Sequence, residues 1–188
     1  MISTYCGDII ELVKGWSSSA IVNPANHELV EGGTLCGEIY HHAGAVNLDH
    51  DLHNLRGISE GSAVITSGHD LCGWIIHTLA PRYDSIGKWD SLARCYISIA
   101  QLGMYLNREA GVDMLAVPAI GTGAFGLDKD KADEVARLSL LKALSEEDRE
   151  SLNVCLVFQD SRLNRSRYER MLEDENVCQQ PLSMKPDH

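Results

Sequence analysis

Val22–Gly44 reads V-N-P-A-N-H-E-L-V-E-G-G-T-L-C-G-E-I-Y-H-H-A-G, an apolar run ending at Asn23, an amide-bearing turn, a Gly32-Gly33 pair and a helical pattern in direct succession. A backbone that passes from a glycine pair into a helix start gathers free N–H groups and the positive helix end in one place, which suits an anion such as phosphate. A Gly-Gly pair alone is more often only a turn. The reading therefore leans on a second stretch, Ala116–Gly126, A-V-P-A-I-G-T-G-A-F-G, where the apolar run Met114–Val117 stops at Pro118 and a G-x-G loop leads toward a helical pattern near Lys131. In an alternating α/β chain, two such strand-end loops are expected to face one another across the crevice at the C-terminal edge of the sheet. Together they suit a diphosphate.

The 188 residues fit one domain with a core large enough to fold without metal or disulfide. With 16 basic against 27 acidic residues the formal charge is −11, which disfavours nucleic acid and anionic membranes as partners. An acidic chain is expected to hold a diphosphate through backbone N–H groups and helix ends rather than through lysine or arginine. The arginines at 162, 165, 167 and 170 alternate with acids and read as a solvated helix face. Six scattered cysteines without a C-x-x-C pair predict reduced thiols, hence a cytoplasmic location, or a nuclear one in a eukaryote. No secretory leader and no membrane-spanning run is recognisable. A monomer is expected.

In chain order, Ile2–Cys6 is a short strand and Asp8 sits where it could cap a helical segment at Ile10–Val13. Ala20–Val22, Ser62–Thr66, Trp74–His77 and Asn153–Phe158, the last expected to be the final strand, have strand character. Ser91–Glu109 is the longest helix, with Leu92, Cys95, Ile99, Leu102 and Leu106 on one face, and Ala132–Leu144 is another, with Val135, Leu138 and Leu141. Asn23 and Asn26 read as turn residues that bond their own backbone. His77 reads as a satisfied core histidine. His41, His42, His50 and His53 crowd together, but at spacings that match no closed zinc pattern, so no metal and no cofactor is expected. Residues 174–188 lose periodicity and read as a loose C-terminal tail behind a domain at residues 1–173. Alternating strands and helices predict a three-layer α/β/α fold. A Rossmann-type oxidoreductase is excluded, since the first strand lacks G-x-G-x-x-G and no acid follows at the required distance.

Taken in order, Gly7-Asp8-Ile9, A-I-V-N-P-A-N, G-G-T-L-C-G-E-I-Y-H-H-A-G, G-S-A-V-I-T-S-G, I-I-H-T-L-A-P and P-A-I-G-T-G-A-F-G resemble the macro domain, from about Tyr5 to about Leu172. The resemblance implies a mixed, mostly parallel sheet with ADP-ribose at the C-terminal strand ends. It implies that Asp8 accepts a hydrogen bond from the adenine amino group, that Ile9 also contacts the ligand, and that Phe158 stacks on the ring. By the same resemblance, Asn26 reaches the hydroxyls of the distal ribose. Gly32, Gly33, Thr34, Leu35 and Cys36 on one side, and Gly121, Thr122, Gly123 and Ala124 on the other, embrace the diphosphate, and Phe125 packs on the distal ribose.

Two positions depart from the hydrolytic pattern. Thr34 stands where a third glycine is usual, and a threonine suits a positive φ poorly, so the loop is expected to close differently. Cys36 replaces an aspartate. At a helix start it reads either as a reactive thiol or as a small buried filler. The catalytic candidates are thus Asn26 and Cys36, with no general base evident. The implied function is binding of ADP-ribose, free or on mono-ADP-ribosylated proteins, with hydrolysis of the protein esters or of acetylated ADP-ribose. The alternative is a reader module that binds without cleaving, which the missing aspartate favours.

Overall fold

The computed structural model describes residues 1–181. Its strands are β1 (Ile2–Cys6), β2 (Ser19–Pro24), β3 (Ala63–Ser67), β4 (Trp74–Thr78), β5 (Met114–Pro118), β6 (Asn153–Phe158) and β7 (Val177–Gln179). The α-helices are α1 (Ile9–Val13), α2 (Thr34–Ala43), α3 (Ala45–Leu52), α4 (Lys88–Ala110), α5 (Lys129–Ala143), α6 (Glu146–Ser151) and α7 (Arg162–Met171). The strands form one sheet in the order β3-β4-β2-β5-β6-β1-β7. β3 runs antiparallel to β4, and every other neighbouring pair among the described strands is parallel.

Both faces of the sheet are covered, which is why its central strands read as unbroken apolar runs. Along each strand alternate residues go to opposite layers. Ile21, Met114, Ala116, Cys155 and Val157 pack with α1, α2 and α3 through Ile10, Val13, Ile39, Tyr40 and Leu48. Ala20, Val22, Leu115, Val117, Val154 and Leu156 pack with α4 and α5 through Leu92, Tyr96, Ile99, Ala136 and Leu140. The result is the three-layer α/β/α architecture expected from the alternation.

Two sequence expectations about this layer are corrected. On α5 the buried side is Ala132, Ala136, Ser139 and Leu140, while Leu138 is exposed and Val135 and Leu141 are only half-buried. Small residues on that side let α5 lie close against α4, so the largest apolar side chains do not mark the buried face. At the C-terminus, β7 pairs in parallel with β1, and Gln180 is buried in a cluster with Ser3 and Asn153. Residues 174–181 are therefore part of the fold rather than a loose tail, and β6 is not the last strand. Residues 182–188, the rest of that expected tail, lie outside the described residues.

His77 is fully buried on β4 as expected, with Nδ1 3.0 Å from Asn23 Nδ2 and Nε2 2.9 Å from Thr66 Oγ1. Asn23 thus bonds across the sheet to His77 instead of to its own turn, correcting the reading of that residue. Burial holds the His77 imidazole neutral and lowers its pKa to about 3. The unfolded chain takes up this proton below its ordinary value and the native state does not. The stabilisation is therefore present above about pH 6.5 and is lost as pH falls toward 3. From this residue alone, stability should drop by about 2 kcal/mol between pH 6.5 and 5. Urea unfolding at both pH values checks this, and His77→Gln should flatten the dependence.

The topology also places the functional region. β2, β5, β6 and β1 are parallel neighbours, so the segments leaving their C-terminal ends, after Pro24, Pro118, Phe158 and Cys6, emerge side by side on one edge.

Candidate functional site

A cleft of about 530 Å³ opens at that edge. Its wall contains every site residue singled out from the sequence: Asp8, Ile9, Asn26, Gly32, Gly33, Thr34, Leu35, Cys36, Gly121, Thr122, Gly123, Ala124, Phe125 and Phe158. It also contains residues that the sequence reading missed, notably Glu38, Lys129, Asn164 and Arg167.

The first loop is built around Asn26. Its Nδ2 donates to the Val30 carbonyl at 2.8 Å and its Oδ1 accepts from the Val30 N–H at 3.2 Å, so the amide does bond its own turn. Each amide atom retains capacity for one further bond toward the cleft. Between these residues Leu29 adopts φ 51° although it is not glycine. Such a left-handed leucine costs roughly 1–2 kcal/mol and is held by burial and by Tyr40, whose hydroxyl donates to the Leu29 carbonyl at 2.9 Å. Gly32 then passes close beneath Asn26, where a Cβ would lie 2.9 Å from Nδ2. Gly33 caps α2, and the first bond of the helix start is Gly37 N–H to Gly33 O at 2.9 Å. The N–H groups of the first turn, from Thr34 to Cys36, have no carbonyl one turn back and remain available.

Thr34 corrects one expectation. It is the first residue of α2, and the non-glycine residues with positive φ among the described residues are Leu29 and His69, so threonine imposes no strain here. Cys36 agrees with the buried-filler reading. It is buried, its thiol faces the Val30 carbonyl at 3.8 Å, and burial pushes its pKa up. Desolvation by burial outweighs the hydrogen bonds from Asn23 and Gly32 that favour the thiolate, which keeps Cys36 a neutral thiol.

The second loop is a compact turn. Leu127 N–H donates to Gly121 O and Gly126 N–H to Gly123 O, each at 3.0 Å, while Thr122 Oγ1 donates to Ala119 O at 2.9 Å. Gly121 has φ 76°, and a Cβ there would meet Leu127 at 2.5 Å. These bonds use the carbonyls of Ala119, Gly121 and Gly123, while the N–H groups of Thr122, Gly123, Ala124 and Phe125 have no acceptor among the described residues. Both loops therefore offer backbone donors to the same cleft. Phe125 is half-buried and closes one end beside Asn26.

The opposite end is formed by Asp8, Ile9, Phe158 and α7. Asp8 Oδ1 caps α1, accepting from the N–H groups of Ile10 at 2.8 Å and Glu11 at 3.2 Å. That is the capping role read from the sequence, and it leaves the second carboxylate oxygen for a ligand. Phe158 is buried, with the Arg167 guanidinium 5.0 Å from its ring centre. Arg167 itself forms a two-bond pair with Asp133, at 2.8 and 2.6 Å, and donates to Asn164 Oδ1 at 3.1 Å.

The structure thus overturns the solvated reading of this arginine, whose side chain is 3% exposed. It also modifies the expectation of a cleft without cations, since Lys129 and Arg167 both stand in the wall. Nothing in the alternating arginine pattern distinguishes Arg167, because its partner lies on another helix.

Among the described residues no three His, Cys, Asp or Glu side chains are placed to share a metal ion. His41 and His42 meet edge to face at 5.2 Å, and His50 faces Asp51 at 3.7 Å. Nor, among the described residues, is any helix long and apolar enough to cross a membrane.

Comparison with known proteins agrees with this geometry. O-acetyl-ADP-ribose deacetylase 1 of Pantoea vagans is 35% identical over 85% of this chain and 92% of its own length. Human ADP-ribose glycohydrolase MACROD2 is 30% identical over 99% of this chain, which corresponds to 44% of that longer protein. The Trypanosoma brucei macrodomain in complex with ADP-ribose superposes with a TM-score of 0.74 at 26% identity, covering 90% of this chain and 67% of that one. Residues 22–136, which span both glycine loops and the sheet between them, match the family model described as Macro domain, and the chain belongs to that family.

Proposed function

We propose that the cleft binds ADP-ribose and that the protein hydrolyses its esters, either mono-ADP-ribosyl groups on protein carboxylates or acetylated ADP-ribose. The observation that carries this reading is the convergence of two strand-end loops, each with backbone N–H groups that find no acceptor among the described residues. A diphosphate between them gains donors that cost no reorganisation. Asp8 then serves adenine at one end, where Arg167 rather than an open Phe158 face meets the cleft, contrary to the stacking expected of Phe158, and Asn26 and Phe125 serve the distal ribose at the other.

Catalysis in this site comes from positioning. Asn26 is pre-aligned by its two bonds to Val30 and orients the sugar. Cys36 supplies no base, being buried and neutral. The carboxylate in the wall near the first loop is Glu38, on α2, and it is the candidate to take a proton from the attacking water.

Release of ADP-ribose from a protein carrying ester-linked mono-ADP-ribose tests the proposal. Wild-type protein should release it, and Asn26→Ala should not. Cys36→Ala should keep activity within about threefold, since a neutral thiol adds no base; loss beyond about a hundredfold would restore Cys36 as a nucleophile. A second reading, a binding module without turnover, is favoured by the same buried Cys36 in place of a carboxylate. Retention of the modified protein on immobilised wild-type chain without release would establish it.

A further inference from the structure

Beside the cleft lies a second cavity of about 460 Å³. The two share Asn26, Ala80 and Phe125. The inference drawn from it rests on the proposed function, under which Asn26 and Phe125 serve the distal ribose. Whatever that sugar carries then has the second cavity directly before it.

The rest of its lining decides what fits. Part of the polar lining is engaged within the protein. His27 Nδ1 lies 2.7 Å from the Ile58 carbonyl, Glu60 Oε1 accepts from Ser85 Oγ at 2.8 Å, and the Ser59 carbonyl accepts from the Ser62 N–H at 3.0 Å and from its hydroxyl at 2.6 Å. Arg82 is turned outward toward Asp84, at 3.6 Å. The groups without such demands are Ile58, Leu79, Ala80 and Phe125. Next to Arg82 in the chain, Tyr83 is 57% exposed, and its N–H donates to the carbonyl of the lining residue Phe125 at 2.8 Å.

A peptide segment laid against those four residues would bring N–H and C=O groups that apolar side chains cannot pair, at a cost for each one left unpaired. An aliphatic chain brings none. We propose that the second cavity receives the acyl arm of ADP-ribose esters whose acyl group is a straight chain longer than acetyl. Hydrolysis of such an ester needs only water. The water oxygen bonds to the acyl carbon, the bond from that carbon to the ribose oxygen breaks, and the ribose oxygen takes up the proton. The products are a carboxylic acid and ADP-ribose.

Binding separates this from turnover. Calorimetric titrations would compare ADP-ribose with amide analogues bearing acetyl, butanoyl or octanoyl on the distal ribose, and with an amide-linked glutamyl peptide conjugate. Each methylene that leaves water should tighten binding about fourfold, so butanoyl, two methylenes longer, should exceed acetyl by about fifteenfold. Ile58→Ser should flatten the series. Ser59→Trp, at an exposed position, fills the cavity and should flatten it too. Equal affinities across the series with ADP-ribose still bound would overturn the acyl pocket and leave the proposed function standing. So would tightest binding of the peptide conjugate, which would assign the cavity to modified proteins. Absence of any ADP-ribose binding would overturn both.

Discussion

Replacing Arg167 by methionine is expected to destabilise the protein by about 3–5 kcal/mol, because it leaves a carboxylate buried without its counter-charge. The partner, Asp133, has a side chain only 14% exposed, and burial already raises its pKa despite the facing guanidinium. Methionine preserves much of the volume and the contact with Phe158. The loss therefore reports charge rather than packing. Two controls sharpen the point. Lowering the pH should shrink the penalty, since the orphaned carboxyl can then protonate. Arg167→Met combined with Asp133→Leu should recover most of it, because a buried ion pair replaced whole by apolar side chains is often close to neutral. Denaturant midpoints for the two variants measure both effects. The single variant should also weaken ADP-ribose binding, since Arg167 stands in the cleft wall and covers the Phe158 ring.

The second large effect is expected at Gly32. A methyl group there would sit 2.9 Å from Asn26 Nδ2, too close for the amide to keep its place between the Val30 N–H and carbonyl. Gly32→Ala should therefore weaken ADP-ribose binding by about 30- to 100-fold, the equivalent of roughly 2–3 kcal/mol of lost hydrogen bonding. Its thermal stability should change little by comparison. The mechanism predicts non-additivity: with Asn26→Ala already in place the clash is gone, and adding Gly32→Ala should cost only a few-fold more. Additive losses would mean that Gly32 acts on the ligand directly rather than through Asn26.

How far the sequence carried these conclusions differs by residue. Strand β6 was read with its bounds intact, and the two glycine loops were placed on the right strand ends, because buried parallel strands leave unbroken apolar runs and loops between them leave glycines. All the side chains assigned to the ligand line one cleft. The misses share a cause, which is that their explanation lies in partners distant along the chain. Arg167 looks like its solvated neighbours until Asp133, 34 residues away, is seen to face it.

Strand β7 is three residues long and exists by pairing with β1 at the other end of the chain. On α5, close packing against α4 prefers Ala132 and Ala136 to Leu138, reversing the usual link between size and burial. Asn23 and Asn26 carry the same signal in sequence, yet one reaches His77 across the sheet while the other holds its own loop. The strained backbone at Leu29 had no sequence signal at all, since leucine is among the last residues expected at positive φ.

The glycine loops, Asp8 and Asn26 have their proposed roles only if this cleft binds ADP-ribose. Calorimetric titration of ADP-ribose into the wild-type, Asn26→Ala and Gly32→Ala proteins tests it most directly. The account predicts saturable one-to-one binding by the wild type, at least tenfold weaker in both variants once the loss of Asn26 bonds is counted. No saturable binding to the wild type, or equal affinity in all three proteins, would contradict it.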